Sequence, residues 1–458
     1  MFCVIDYVVI AGFFSVSLGV GLWHWMRARC KPSLTASLTS TYLVGGRKLP
    51  VWPTTLSLVT SFMSGILILG VTADVYQRGA AYHVLFQSGG TLALLFCAFV
   101  FAPKFYDYKF TSIYEYFELR FQSRFLRQCA SALFLLNTLF YMSIVIYGPS
   151  IAIYAVIGAP LWRGLARVFE VAEASGRFDS FQHVDPNPAQ YSSVWIGVFG
   201  GFSFWLTVFA LSQTGQQRYC SVASVNDAKL VLAMSAPGFL ILGLLAHTIG
   251  LAALAYYNSC DLVASKQLQT RDHIVVRFAI DVLGTVPGLL GIFIATIFSG
   301  TLSTISSGVN SMTAILWCDF IEPRYPNISD RTATYINQAL SLACGILATC
   351  ISFVCFYMHG LLRSALILIG AISGQPAGLF LLGLFVRRAS RRGAICGLLL
   401  GCLLMGTIAV GQIITEPYNR FSLAASPIYC NATINTNDTV VNFDRYETRH
   451  CQLACNAD

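Results

Sequence analysis

Charged residues are scarce in this chain. Only 11% of its 458 residues are Asp, Glu, Lys or Arg, and 56% are hydrophobic, whereas a soluble domain carries about 25% charged residues. A soluble globular protein is therefore excluded, because most of the chain must lie out of contact with water. The formal net charge of +8 is not gathered into the basic stripe that nucleic-acid binding needs, so we expect no nucleic-acid partner.

Catalytic and metal-binding signatures are lacking as well. The sequence contains no GxSxG, Walker A or HExxH motif, which argues against an enzyme. It has 15 cysteines, but no CxxC pair or Cys/His cluster has the spacing of a zinc site, so we predict no structural metal cage. Most of the cysteines lie in apolar runs, where a thiol acts as a small packing group.

Long apolar windows are what the sequence has instead. A membrane-spanning helix needs about 20 mostly apolar residues, and ten windows meet that length: 4–26, 54–74, 80–103, 128–158, 192–214, 230–257, 283–317, 333–358, 364–386 and 393–415. We therefore predict an all-α membrane protein whose transmembrane domain covers 1–415. The first window has no basic segment before it, so we interpret it as a retained span rather than a signal peptide.

The distribution of Lys and Arg predicts the orientation of these spans. With the N-terminus outside, the inner loops are 27–53, 104–127, 215–229, 318–332 and 387–392. They hold 18 of the 29 Lys and Arg residues, as the positive-inside rule requires. The segment 416–458 then becomes an extracellular tail. Its sequons at Asn431 and Asn437 are predicted glycosylation sites, and its cysteines could pair in an oxidising space.

Two hydroxyl-rich stretches interrupt the apolar windows. Eight of the 15 residues in 299–313 are Ser or Thr, and 57–65 holds four hydroxyls and ends in Gly65. Hydroxyl and backbone carbonyl oxygens suit a desolvated monovalent cation, and a glycine is a place where a helix can unwind and free its carbonyls. The alternative is that these side chains bond to carbonyls of their own helix or permit close helix packing.

The amide-rich stretch 212–219 is a third candidate. Gln213 ends an apolar run, where an amide is costly unless it is satisfied, so it could line a polar cavity. From Gln216 to Tyr219 we favour a simpler interpretation, in which the span ends at the inner interface with Arg218 as its anchor.

Several motifs carry a family resemblance when they are taken together and in order. They are Tyr42-Leu-Val-Gly-Gly-Arg47-Lys-Leu-Pro50, Ser61-Phe-Met-Ser64, Leu69-Gly70, Tyr76-Gln-Arg-Gly79, Gly148-Pro-Ser-Ile-Ala152, Gln213 with Gln217-Arg218-Tyr219, Phe298-Ser-Gly-Thr-Leu-Ser303-Thr304, and Arg392-Gly-Ala394 with Gly397. From about residue 4 to 416 the chain resembles the sodium/solute symporter family, closest to its monocarboxylate, multivitamin and iodide branch.

The resemblance implies a leucine-transporter-like bundle of two inverted five-helix repeats, preceded by one extra N-terminal helix. It implies Na⁺ as the coupling ion, no other cofactor, and a small organic anion or halide as the solute carried across the plasma membrane. The sodium ligands that it implies are hydroxyl or backbone carbonyl oxygens of Thr60, Met63, Gly300, Ser303 and Thr304. The residues that it places at the solute cavity are Ser64, Ile66, Leu67 and Gln213.

The chain departs from the family pattern in two ways. Sugar-carrying relatives have polar or acidic side chains where this chain has Ile66 and Leu67, which favours an anion or halide over a sugar. After Trp162 the family continues with two more spans, whereas this chain passes at Arg163 into what resembles the loop beyond them. We therefore predict a deletion of the fourth and fifth core helices at 162–163. The alternative function that follows is a non-transporting family member, acting as a sensor or partner-binding protein, or a truncated product.

Overall fold

The computed structural model describes residues 3–30, 38–62, 64–154, 193–257, 262, 268, 271–284, 286–355 and 361–415. These residues are almost entirely helical, and the pairing they show between extended segments is a single bridge, Leu49 to Val222. The helices of the first part are α1 Val4–Cys30, α2 Leu38–Val44, α3 Val51–Phe62, α4 Thr72–Arg78, α5 Ala81–Phe96, α6 Ala102–Tyr108, α7 Glu115–Phe121 and α8 Arg124–Tyr154. Those of the second part are α9 Gly201–Phe209, α10 Gln213–Tyr219, α11 Val225–Tyr256, α12 Ile274–Leu283, α13 Leu289–Ile315, α14 Asp330–Cys355, α15 Leu361–Phe385 and α16 Arg391–Thr415.

Each of the ten windows predicted from the sequence overlaps a helix long and apolar enough to span a bilayer, or a bent pair of helices that together reach that length. Eight are continuous helices, with α5 running into α6 through a wider turn at Cys97–Phe101. The other two are bent pairs, one of α3 with Ile66–Arg78 and one of Ile196–Phe209 with α10. The prediction of a multi-span, all-α membrane protein is confirmed.

The two bent pairs share a local cause, which is a short polar interruption of an apolar run. In the first pair the helix axis turns by 50° around Ser64, whose carbonyl accepts from the amide of Leu67 at 3.0 Å. In the second pair the axis turns by 66°, and extended Ser212 caps α10 by accepting from the amide of Gly215 at 3.2 Å. Interrupted helices free backbone groups inside a membrane protein only where these line a cavity or an ion path.

The order of the helices divides the bundle into two halves, each opening with a bent pair. In the second half the bent pair is followed by α11, α13, α14 and α15, which gives five spans. In the first half the described residues supply the bent pair, the α5–α6 span and α8. The expected deletion at 162–163 lies outside the described residues, as do Met63 and the tail 416–458. The structure therefore carries no information on the sequons Asn431 and Asn437.

Helix α8 lies in the middle of the bundle, where it packs against α13, α14 and α15, while α1 packs on the outside of α13. Asp6 of α1 is 3% exposed, and its carboxylate accepts from the amides of Gly288 and Gly291 at 3.0 and 2.9 Å. Those amides belong to the start of α13, where the first turn leaves its donors without helical partners. The N-terminal helix is thus fixed to the bundle by one buried acid.

Close packing of α5 against α9 depends on small residues. A Cβ added at Gly201 would lie 2.4 Å from the carbonyl oxygen of Phe86, whereas one at the adjacent Gly200 would find its nearest neighbour at 3.8 Å. Glycine at such a position lets two helix backbones approach. We expect Gly201→Ala to lower the melting temperature of the purified protein, because overpacking at this contact destabilises the folded state by about 1–3 kcal/mol. Gly200→Ala is the control, and equal melting of the two variants would contradict this account.

Candidate functional site

A cavity of about 1400 Å³, including its open mouth, runs between the two helix breaks. Its wall is mostly aromatic and aliphatic, with polar groups placed singly. The polar and tyrosine side chains among the lining residues are Ser61, Ser64, Tyr82, His83, Gln87, Tyr114, Asn137, Thr138, Tyr141, Thr207, Ser212, Thr214, His247, Thr304 and Ser373. A concave, largely apolar site with a few convergent polar groups is the usual form of a small-molecule site.

The two hydroxyl-rich stretches meet beside this cavity. The hydroxyl of Ser303 on α13 lies 3.2 Å from the hydroxyls of both Thr60 and Ser61 on α3. The hydroxyl of Ser61 also lies 3.0 Å from that of Ser307, one turn further along α13. Four hydroxyls from two helices therefore converge immediately before the break in the first bent pair.

Thr304 connects the same two helices through backbone oxygens. Its hydroxyl oxygen lies 2.8 Å from the carbonyl oxygen of Ser61 and 3.0 Å from that of Gly300, and its one proton can be donated to either. Both carbonyl oxygens therefore lie within a few ångströms of the Thr304 oxygen, with Ser303 as the adjacent residue. Neutral hydroxyl and carbonyl oxygens are the ligands that suit a desolvated monovalent cation, so the residues present fit Na⁺.

The structure brings together four of the five residues expected to bind sodium. Thr60, Gly300, Ser303 and Thr304 all take part in these contacts, while Met63 lies outside the described residues. The alternative account of the hydroxyl-rich stretch also applies to part of it. Thr313 and Thr60 each donate to the carbonyl of their own helix four residues earlier, at 2.9 Å, and the contact of Thr304 with Gly300 has the same spacing.

Three of the four residues expected at the solute cavity do line it. Ser64, Ile66 and Leu67 follow the break and form part of the cavity wall. The hydroxyl of Ser64 lies 3.3 Å from the phenol of Tyr141 on α8 and accepts from the amide of Ile66 at 3.3 Å. Tyr141 was not selected from the sequence, because a single tyrosine in a long apolar span carries no positional signal.

Gln213 does not line the cavity, so the expectation that it faces the solute does not hold in this structure. Its side chain is fully buried on the first turn of α10. Its amide oxygen accepts from the backbone N–H of Ile113 at 2.8 Å, and its amide nitrogen donates to the carbonyl of Thr111 at 2.6 Å. Its neighbours Ser212 and Thr214 line the cavity, whereas the Gln213 side chain points to the other side of the helix start and holds the segment before α7.

Arg218 makes contacts within the bundle that its interpretation as an interfacial anchor did not include. Its guanidinium donates to the backbone carbonyl and the hydroxyl of Ser57, the latter at 2.5 Å, and to the hydroxyl of Ser307. It therefore joins α10 to both helices of the hydroxyl cluster. The sequence did not reveal this role, because an arginine at the end of an apolar run occurs both at membrane interfaces and where the guanidinium bonds to neighbouring helices.

The chain is similar to known proteins of one family. The family model described as the sodium:solute symporter family matches residues 42–174 and 176–401. The chain is 31% identical to sodium-coupled monocarboxylate transporter 2 of Danio rerio over 478 aligned positions, which take in 93% of this chain and 75% of the relative. It is also 31% identical to the sodium-dependent multivitamin transporter of Oryctolagus cuniculus, covering 93% of this chain and 73% of that protein.

A solved structure shares the fold. It is a Na⁺-coupled sialic acid symporter in a substrate-bound, outward-open state, which superimposes with a TM-score of 0.75 over 88% of this chain and 91% of its own, at 20% identity. That likeness confirms the leucine-transporter-like architecture expected from the motifs. The relatives are sodium-coupled transporters rather than enzymes, in agreement with the lack of catalytic motifs. The chain belongs to the sodium:solute symporter family of Na⁺-coupled membrane carriers.

Proposed function

We propose that this protein couples the inward movement of Na⁺ to that of a small organic anion across the plasma membrane. The observation that carries the proposal is the convergence of Ser303 and Thr304 of α13 on Thr60 and Ser61 of α3, directly beside the cavity. In this proposal Na⁺ is bound by oxygens of Thr60, Met63, Gly300, Ser303 and Thr304. Ser64, Ile66 and Leu67 contact the solute, and Gln213 is left out of that set.

Coupling would follow from the short distance along the chain between the two sites. Thr60 and Ser61 end α3 before the break, and Ser64 enters the cavity directly after it. An ion that bridges α3 and α13 therefore fixes the helix whose continuation forms the solute site. If Na⁺ raises the affinity for the solute, the solute must raise the affinity for Na⁺ by the same factor.

The choice of an anion is supported by two observations. The cavity wall carries the apolar side chains of Ile66 and Leu67, two and three residues after Ser64, a surface suited to the short hydrocarbon part of an organic acid. The relatives reported above are named for monocarboxylates and for vitamins. A halide such as iodide is the alternative solute. We further propose that the N-terminus and the tail with Asn431 and Asn437 are extracellular, as the Lys and Arg distribution predicts.

A second candidate function is that of a family member that does not transport. The alignment with the zebrafish relative extends over 478 positions although only 93% of this 458-residue chain takes part. The relative therefore has on the order of 50 positions without a counterpart here, about the length of two spans with their connections. This surplus, together with the three spans of the first half among the described residues, supports a loss of two core helices.

Uptake measurements on two forms of the protein separate these functions. One form is the chain as it stands, and the other carries the corresponding segment of the zebrafish relative inserted between residues 162 and 163. Cells expressing either form would be given radiolabelled pyruvate, nicotinate or iodide, with Na⁺ or with choline outside, and surface expression would be measured in parallel. We expect Na⁺-dependent uptake of at least one organic anion by the restored form.

Each outcome of this experiment decides a separate point. Uptake by the restored form alone would show that the deletion inactivates the chain, and uptake by both would remove the second candidate function. If both forms reach the surface and neither shows Na⁺-dependent uptake, the proposal of symport is wrong for this protein. Uptake of iodide alone would replace the organic anion by the halide.

A further inference from the structure

A second cavity lies beside the hydroxyl cluster, next to the first. Its volume is about 710 Å³, including its open mouth, and its described lining comes from the segment before α3, from α3 itself, from α10 and the residues after it, and from α13. The segments 27–53 and 215–229 are predicted inner loops, so in that topology the second cavity faces the cytoplasm, and we call it the inner cavity. Thr214 lines both cavities, which are therefore neighbours along α10.

The walls of the two cavities differ in charge. Among the described lining residues of the first cavity there is no Lys, Arg, Asp or Glu. The described lining of the inner cavity consists mainly of hydroxyl and amide side chains, with Arg218 as its one charged residue. An anion that leaves the first cavity past Thr214 therefore meets a fixed positive charge that the first cavity lacks.

Arg218 has no acidic partner among the described residues. None of the ion pairs that those residues form includes it, and its contacts are with the neutral oxygens of Ser57 and Ser307. A guanidinium does not lose its proton in a protein, so the charge is permanent. A charge that is partly withdrawn from water and has no counter-charge is costly, and it favours the binding of an anion.

The Arg218 guanidinium still has donors to offer. It carries five N–H groups, of which Nη1 supplies the contacts with Ser57 and Nη2 supplies the contact with Ser307. The Nε–H and one Nη2–H are left without a partner among the described residues. Their nitrogens are bonded to the same carbon, and arginine can use such a pair to bind both oxygens of one carboxylate.

We propose that Arg218 forms an anion subsite in the inner cavity, which receives the carboxylate of the solute on its way to the cytoplasm. The inference rests on the proposed function, because it takes the solute to be an organic anion. The carboxylate accepts from the Nε–H and the remaining Nη2–H, while hydroxyl and amide groups of the wall replace part of its water. No bond is made or broken.

Binding at this subsite does not require Na⁺, because Arg218 itself supplies the counter-charge. The solute site of the first cavity differs in this respect, since the proposed coupling makes its affinity depend on Na⁺. A medium without Na⁺ therefore isolates the inner subsite. If Arg218 only holds α10 against α3 and α13, no anion should bind there under these conditions.

Equilibrium binding of radiolabelled pyruvate to the purified full-length chain in lipid nanodiscs measures the subsite without requiring transport. The medium contains choline in place of Na⁺ and no chloride. We expect saturable binding of one pyruvate per chain, and a dissociation constant about tenfold higher in Arg218→Gln, the equivalent of one charged contact. The control is Arg331→Gln, which removes the same charge from an exposed position on α14 outside the cavity lining and should bind as the native chain does.

A chemical footprint tests the same contact without a substitution, and so covers the case in which Arg218→Gln fails to fold. Methylglyoxal is a dicarbonyl of nearly the size of pyruvate that modifies guanidinium groups, and peptide mass spectrometry gives the rate at each arginine. Pyruvate at about ten times its dissociation constant should slow the modification of Arg218 about tenfold by occupancy and leave that of Arg331 unchanged. An equal rate at Arg218 with and without pyruvate would overturn the subsite. So would a complete lack of modification, because the cavity would then not admit a molecule of this size.

The results separate the inner subsite from the proposed function. No pyruvate binding in choline, unchanged binding in Arg218→Gln, or an equal loss in Arg331→Gln overturns the subsite and leaves symport to be judged by Na⁺-dependent uptake. If Na⁺ in place of choline adds no further pyruvate binding, the proposed coupling is wrong and the subsite stands. Displacement of pyruvate by chloride at concentrations no higher than those of unlabelled pyruvate would assign Arg218 to inorganic anions and overturn the carboxylate assignment.

Discussion

Replacing Asp319 by alanine is expected to destabilise the folded protein by about 3 kcal/mol, the lower end of the range for breaking a buried ion pair. The side chain is fully buried at the end of the α13 span. It accepts from Arg127 Nε at 2.7 Å, from Ser112 at 2.8 Å and from Ser131. The variant leaves the Arg127 guanidinium buried without this carboxylate and takes away the acceptor of the Ser112 hydroxyl, while Ser131 keeps the backbone carbonyl of Arg127 as an acceptor.

We expect a loss of stability at the lower end of that range because Arg127 keeps another carboxylate partner in the variant. Its Nη1 lies 2.9 Å from a carboxylate oxygen of Glu118, which is 42% exposed and can follow the freed guanidinium. Chemical unfolding of the purified chain in detergent micelles measures the effect. The control is Glu322→Ala, an exposed acid three residues away, for which a surface substitution predicts less than about 0.5 kcal/mol. Equal unfolding of the two variants would show that the buried pair contributes no net stability.

The second large effect is expected on the affinity for Na⁺ rather than on the stability of the fold. Ser303→Ala in a transporting form should raise the Na⁺ concentration for half-maximal uptake by about tenfold, the equivalent of about 1.4 kcal/mol of ion binding. The substitution removes one hydroxyl oxygen from the cluster with Thr60 and Ser61. Uptake as a function of Na⁺ concentration measures it, at fixed solute and after correction for surface expression.

Ser306 provides a matched control for this measurement. It lies on the same helix, is exposed, and donates its hydroxyl to the carbonyl of Ser303 at 3.0 Å. Ser306→Ala should leave the Na⁺ dependence unchanged, since its hydroxyl does not reach α3. An unchanged Na⁺ dependence in Ser303→Ala would remove that residue from the proposed site, and an equal shift in both variants would point to a general effect on α13.

Local composition was enough to predict the positions of the spans and the hydroxyl-rich stretches. A window of about 20 apolar residues has one stable arrangement in a bilayer, because the backbone must satisfy its own hydrogen bonds there. Ordered motifs supplied the family, which the family model and the relatives confirm. The stretch 299–313 was singled out by composition, since a dense run of hydroxyls is unusual on a helix that faces lipid, and the choice of Ser303 and Thr304 within it came from the family resemblance.

Relations between distant segments were decided by the tertiary structure alone. Gln213 and Arg218 lie five residues apart in one amide-rich stretch, yet Gln213 holds the segment before α7 and Arg218 joins the hydroxyl cluster. That division depends on the 66° bend before α10, which sequence spacing does not reveal. The proximity of the His83 and His247 rings, whose centroids lie 5.8 Å apart, has the same origin, because two single histidines become neighbours only when α5 packs on α11. Sequence determined which residues lie in the membrane, and packing determined which of their polar groups meet.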